Sequence, residues 1–170
     1  MRHIRLLAAT AAAMLLATFA SAQNWTFSDP VDESQAVPPT GSPATGTAIG
    51  DYDDVTHVLN ITATASNFIY NRTMAHIHGP ALPGSVAGIL FDLGVAGSGS
   101  NYNNVNTVWV LDAMEETEFL AGLYYVNIHT SNDPGGAIRG QLNPVPEPAS
   151  LIALAAGSAL LLRRRKRPRK

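Results

Sequence analysis

Between residues 45 and 142 apolar positions recur every second residue, the spacing of strands that bury one face. Val55, His57, Leu59, Ile61 and Ala63 form one row, alternating with Thr56, Val58, Asn60, Thr62 and Thr64. Tyr124, Val126, Ile128 and Thr130 form a second, alternating with Tyr125, Asn127 and His129. Further strands are expected over 25–27, 45–52, 73–78, 86–93, 105–111 and 137–142, separated by Asp53-Asp54, Gly79-Pro80, Gly97 to Gly99 and Asn132-Asp133-Pro134-Gly135-Gly136. Only 113–122 breaks the pattern: it predicts a helical turn or two, with Asp112 as N-cap and Gly122 at the stop. Seven or eight short strands in a segment of this size predict an all-β fold, an antiparallel β-sandwich in a single domain spanning 23–144.

Both ends of the chain have a different character. Arg2 and Arg5 precede an apolar stretch over 6–19, and Ala20-Ser21-Ala22 places small residues where a signal peptidase reads. This is a signal peptide over 1–22, cut before Gln23. At the other end Val145-Pro146-Glu147-Pro148-Ala149-Ser150 leads into an apolar run over 151–162 and then Arg163-Arg164-Arg165-Lys166-Arg167-Pro168-Arg169-Lys170. A run of that length reaches about 18 Å as a helix, against a hydrocarbon core of about 30 Å. Such a short transmembrane segment holds a protein transiently better than permanently. The arginines fit its cytoplasmic side.

Setting the two ends aside changes the charge. The whole chain carries 11 Lys and Arg against 13 Asp and Glu, but only Arg72 and Arg139 lie between 23 and 144, where twelve acids leave a net of −10. No basic patch exists there to neutralise phosphates, so no nucleic acid is expected as partner. The chain has no cysteine, which excludes disulfides and thiolate metal sites. It also lacks a nucleotide-binding glycine signature and a serine nucleophile elbow.

Two resemblances follow from these motifs. The order Pro146-Glu147-Pro148, apolar run, basic block resembles a PEP-CTERM sorting signal over 145–170, the tag that an exosortase reads and cleaves. This implies export through the inner membrane, transient anchoring, and delivery to the cell surface or extracellular matrix, a setting associated with exopolysaccharide and biofilm. Within the domain, Gln35-Ala36-Val37-Pro38-Pro39, Thr45-Gly46-Thr47-Ala48, Ala75-His76-Ile77-His78-Gly79-Pro80, Tyr125-Val126-Asn127-Ile128-His129-Thr130 and Gly136-Ala137-Ile138-Arg139-Gly140-Gln141-Leu142 recur in the order of a CHRD domain. That resemblance implies an immunoglobulin-like sandwich and brings no established activity. Ala137 departs from the pattern, which usually has an acidic residue there.

The histidines carry the remaining chemistry. His76 and His78, at i and i+2, share one strand face, and His129 stands opposite the apolar set of its own strand. All three share the non-core face if their strands belong to one sheet. Two readings stay open. The imidazoles form a three-nitrogen site for zinc or copper, or they pack under the loop over 79–88 and hydrogen-bond its backbone. His57 is expected in a strand, near an edge. A strand with two alternating histidines also resembles copper–zinc superoxide dismutase, but no histidine-rich loop or disulfide accompanies it, so a redox enzyme is the weakest reading. Arg139, a lone arginine in an acidic domain, is expected to form a structural ion pair with a carboxylate and to lock a loop to the sheet. Trp25, Trp109, Tyr124 and Tyr125 are expected as core or interface aromatics, with sugar stacking as the alternative. The acidic run at Glu115, Glu116 and Glu118 reads as a solvated helix face. The expected function is therefore a non-catalytic surface or matrix protein. Its expected partners are signal peptidase and exosortase during export, with exopolysaccharide or other surface proteins thereafter.

Overall fold

The computed structural model describes residues 24–94, 99–104 and 106–147; the signal peptide expected over 1–22 and the tail from 148 onward lie outside them. The elements run β1 (Asn24–Asp32), β2 (Thr45–Asp53), β3 (Val58–Ser66), β4 (Arg72–His78), β5 (Ile89–Asp92), β6 (Tyr102–Asn103), β7 (Thr107–Val110), α1 (Ala113–Leu120), β8 (Tyr125–Thr130), β9 (Ile138–Gln141) and β10 (Val145–Pro146). All the strands belong to one antiparallel sheet ordered β5-β4-β8-β9-β1-β2-β3-β6, with β7 beside β3 and β10 beside β1. The two-layer core comes from this one sheet curling over itself. Its halves meet where Phe91 of β5 stacks on Trp109 of β7 at 5.1 Å, and Trp109 on Tyr124 at 5.7 Å.

The period-two rows supply that core. Leu59, Ile61 and Ala63 from β3 face Ala75 and Ile77 from β4, Val126 and Ile128 from β8, and Ile138 from β9, all essentially without exposure. Phe119 of α1 closes one end against Phe27 and Tyr52 at 5.9 and 5.5 Å. The helix starts where expected: Asp112 accepts from the N–H groups of Met114 and Glu115, and Glu115 returns the bond in a capping box.

Several expectations are corrected. The Asp53 carboxylate accepts the N–H groups of Val55 and Thr56, so 54–57 form a turn and β3 starts only at Val58. His57 therefore sits outside the strand with φ 58°, its Nδ1 3.2 Å from the Tyr52 hydroxyl and 3.2 Å from Glu116. The strand expected over 86–93 shortens to β5, because 81–88 form the loop that covers the sheet. Glu115 and Glu116 are half-buried and bonded, and Glu118 accepts from the Tyr124 hydroxyl at 3.1 Å, so the acidic run serves packing as well as solvation. The sheet also takes in two residues of the segment that follows 144. Val145 and Pro146 pair with Thr26 and Trp25, and the Glu147 N–H bonds to the Asn24 carbonyl at 2.8 Å.

Candidate metal centre

β4 and β8 are direct antiparallel neighbours, with Ala75 opposite Ile128 and Ile77 opposite Val126. The aliphatic residues of both strands point into the core, so His76, His78 and His129 lie together on the other face. That face is not open to solvent. The loop over 79–88 and the turn over 131–136 fold across it, leaving the three imidazoles only 5–7% exposed.

The rings converge. One nitrogen from each lies within 4.8 Å of the others. His76 Nδ1 and His129 Nε2 are 3.2 Å apart, close to the roughly 3.4 Å between nitrogens bound about 2.0–2.1 Å from a common tetrahedral ion. The protein sets two of the tautomers. His78 Nδ1 donates to the Ala87 carbonyl at 3.0 Å, and His129 Nδ1 donates to the Pro134 carbonyl at 2.9 Å. A carbonyl can only accept, so in each neutral ring Nε2 is left as a lone pair. Orientation of a histidine through its second nitrogen is the arrangement that metal-binding imidazoles need. The Nε2 of His78 is buried and has no hydrogen-bond partner among the described residues. Burial holds the His78 and His129 pKa values below the ordinary imidazole value, the neighbouring charges add to this, and the carbonyl bonds oppose it only in part. Both rings are thus neutral near pH 7, the form that ligates.

Surrounding residues fix the covering loops. Arg139 was expected to meet a carboxylate. Instead it donates to the Ser85 carbonyl at 2.5 Å, the Leu82 carbonyl at 3.3 Å and Gln141 Oε1 at 2.8 Å. It does lock a loop to the sheet, but through carbonyls; position 137 is a buried Ala and offers no charge. Its guanidinium lies 3.6 Å from the Tyr125 ring centroid, and Tyr125 stacks on His78 at 5.2 Å, so the three form one layered column. The Tyr125 hydroxyl accepts the Ala87 N–H at 3.0 Å and so helps hold the carbonyl that orients His78. Gln141 Nε2 bonds to the Ala81 and Gly122 carbonyls, and Gln35 Oε1 accepts from the Gln141 backbone. Gly136, with φ 123°, lies so close to Asn127 that a Cβ would collide with its amide; this permits the turn that brings Pro134 to His129. The sequence offers Tyr125 only as a core, interface or sugar-stacking aromatic and gives Gln141 and Pro134 no site role. Their only sequence signal is strand parity for the first two and the turn run for the third. The four aromatics are core or partly buried: Trp109, Tyr124 and Tyr125 are buried, and Trp25 packs against the core.

A curled antiparallel sheet in a single all-β domain, followed directly by a Pro-Glu-Pro motif, describes the class of this chain. The CHRD domain profile matches residues 27–142, and the chain belongs to the CHRD domain family. The PEP-CTERM protein-sorting motif matches residues 144–167, which assigns export, exosortase-linked sorting and a cell-surface or extracellular destination. No curated protein and no solved structure matches the chain. Among the described residues no helix is long and apolar enough to cross a membrane; the expected short segment over 151–162 lies outside them.

Proposed function

We propose that the mature protein is a non-catalytic module of the cell surface or exopolysaccharide matrix, and that its domain holds one transition-metal ion, zinc or copper, on His76, His78 and His129. One observation carries the reading. Backbone carbonyls turn two imidazoles so that each keeps its Nε2 as a lone pair: that of His129 lies 3.2 Å from His76 Nδ1, that of His78 is buried with no hydrogen-bond partner among the described residues, and one nitrogen of each ring lies within 4.8 Å of the others. An orphaned buried acceptor costs about 1–3 kcal/mol, which a shared cation would offset. Burial favours a holding site over one that exchanges substrate, since catalytic metal sites keep an accessible position. The sorting motif supports a location outside the cell, and the acidic domain draws cations toward it.

Elemental analysis of protein purified from a secreted or periplasmic fraction tests this directly. Near-stoichiometric metal is expected in the wild type and none in His78→Ala, with His57→Ala unchanged because His57 lies in the β2–β3 turn. Added metal should raise the melting temperature of the wild type only, because a ligand bound by the native state alone stabilises it by mass action. Equal metal content in wild type and His78→Ala, or none in either, would leave the histidines as hydrogen-bonded scaffolding.

A further inference from the structure

The three-histidine site has a neighbour that the histidine reading leaves unused. Met74 precedes His76 by two residues on β4, so Met74, His76 and His78 project from the same face. Met74 also stands directly opposite His129 across the β4–β8 ladder, beside the register shift between Arg72 and Met74. Directly opposed side chains on one face begin about 4.5–5.5 Å apart at Cβ. Its side chain is 42% exposed and is not among the residues of the apolar core. An exposed thioether thus borders a buried imidazole cluster on a side chain with three rotatable bonds.

Charge narrows the metal that such a set would hold. No further His, Cys, Asp or Glu among the described residues brings a ligand atom into the cluster; Asp92, opposite His76 across the β4–β5 ladder, is exposed and its carboxylate accepts the Gly94 N–H at 2.7 Å. The nearest fixed charge in the column above His78 is the Arg139 guanidinium, which is positive. In a desolvated space lined by neutral ligands, an ion of lower charge costs less to bury than a divalent one. Thioether sulfur is soft and favours monovalent copper over zinc. Resting on the three-histidine reading above, we infer that Met74 completes the site as a sulfur ligand and that the domain holds copper(I), with Met74 as the movable side of the site.

The test uses the exported protein, stripped of metal. It is titrated anaerobically with copper(I) under reducing conditions against a chromogenic copper(I) chelator, and separately with zinc(II). Met74→Leu keeps the volume and apolar character of the side chain and removes the sulfur. Copper(I) affinity should fall about tenfold or more in Met74→Leu, with zinc(II) affinity and the melting temperature of the metal-free protein unchanged. The Met74 methyl resonance should shift on addition of copper(I) to the wild type and stay in place in His78→Ala. Equal copper(I) affinity in wild type and Met74→Leu overturns the sulfur ligand and leaves the histidine site standing. Parallel loss of zinc(II) and copper(I) affinity overturns it too, because Met74 would then act through the fold. A wild type that binds neither ion overturns both readings.

Discussion

His78 and His129 are desolvated bases, and their effect on stability has a definite sign. Their folded pKa values lie below the unfolded imidazole value of about 6.5, so the unfolded chain takes up protons first as pH falls. The stability these rings contribute is present above about pH 6.5 and is lost as pH drops through their folded values. The metal-free protein should therefore melt at a lower temperature at pH 5 than at pH 7. Replacing both rings, as His78→Gln with His129→Gln, should narrow that difference. Asp53, whose pKa is lowered from 3.8 by the N–H groups of Thr56 and Val55, titrates below this window. Thermal scans across pH 5–7 decide the matter; a gap of the same size in the double variant would place the acid sensitivity elsewhere.

At the scale of elements, the covering loop over 79–88 depends on Arg139. The bonds from β9 to the Ser85 and Leu82 carbonyls hold the segment whose Ala87 carbonyl orients His78. Arg139→Met keeps an apolar stem on Tyr125 but removes the side-chain donor to the Ser85 carbonyl and one of the two donors to the Leu82 carbonyl, at a cost of about 1–3 kcal/mol. The melting temperature should fall, and the loop amides of Gly79 and Ser85, bonded to the Gly88 and Leu82 carbonyls, should exchange with solvent faster. Metal content should drop without vanishing, since all three imidazoles remain. Hydrogen exchange checks the loop and elemental analysis the site. Unchanged exchange at Gly79 and Ser85 would show that the loop holds itself.

At the scale of the whole molecule, the sorting motif starts inside the sheet. Leu142 is fully buried, Asn143 is held by both oxygens of Asp29 at 2.9 Å, and Val145 and Pro146 pair with β1. No spacer separates the domain from the motif. Cleavage that leaves the domain intact should therefore fall beyond Pro146. Mass spectrometry of the surface form should find the β10 residues retained and no peptide beyond about Ser150; intact Arg163 to Lys170 in most copies would show an ordinary anchor instead. The first strand and the sorting motif meet at one pole, around Asn24 and Glu147. Asp32, opposite Arg139, marks the other end of β1. The Arg139 column beside His78 lies toward that far end, away from the segment that the exosortase handles.

The all-β class, the strand rows, the cap at Asp112 and both sorting and family motifs were legible in the linear chain, because each depends on short-range periodicity or on residues close in sequence. The histidine parity was legible too: alternation along β4 and β8 sets which side chains oppose the core. Proximity was not. Whether His129 meets His76 depends on β4 pairing with β8 in one register, a contact across 53 positions that local propensity does not encode. The partners of Arg139 were also a tertiary decision. With Ala137 beside it, and the carboxylate of the cross-strand Asp32 accepting from Ser34, the guanidinium met loop carbonyls instead. His57 left its strand because the Asp53 carboxylate bonded the N–H groups of Val55 and Thr56, local turn chemistry that overrode the row of alternating residues. Periodicity thus determined which face each side chain presents; long-range pairing and the loops folded over the sheet decided which faces became buried and which side chains met.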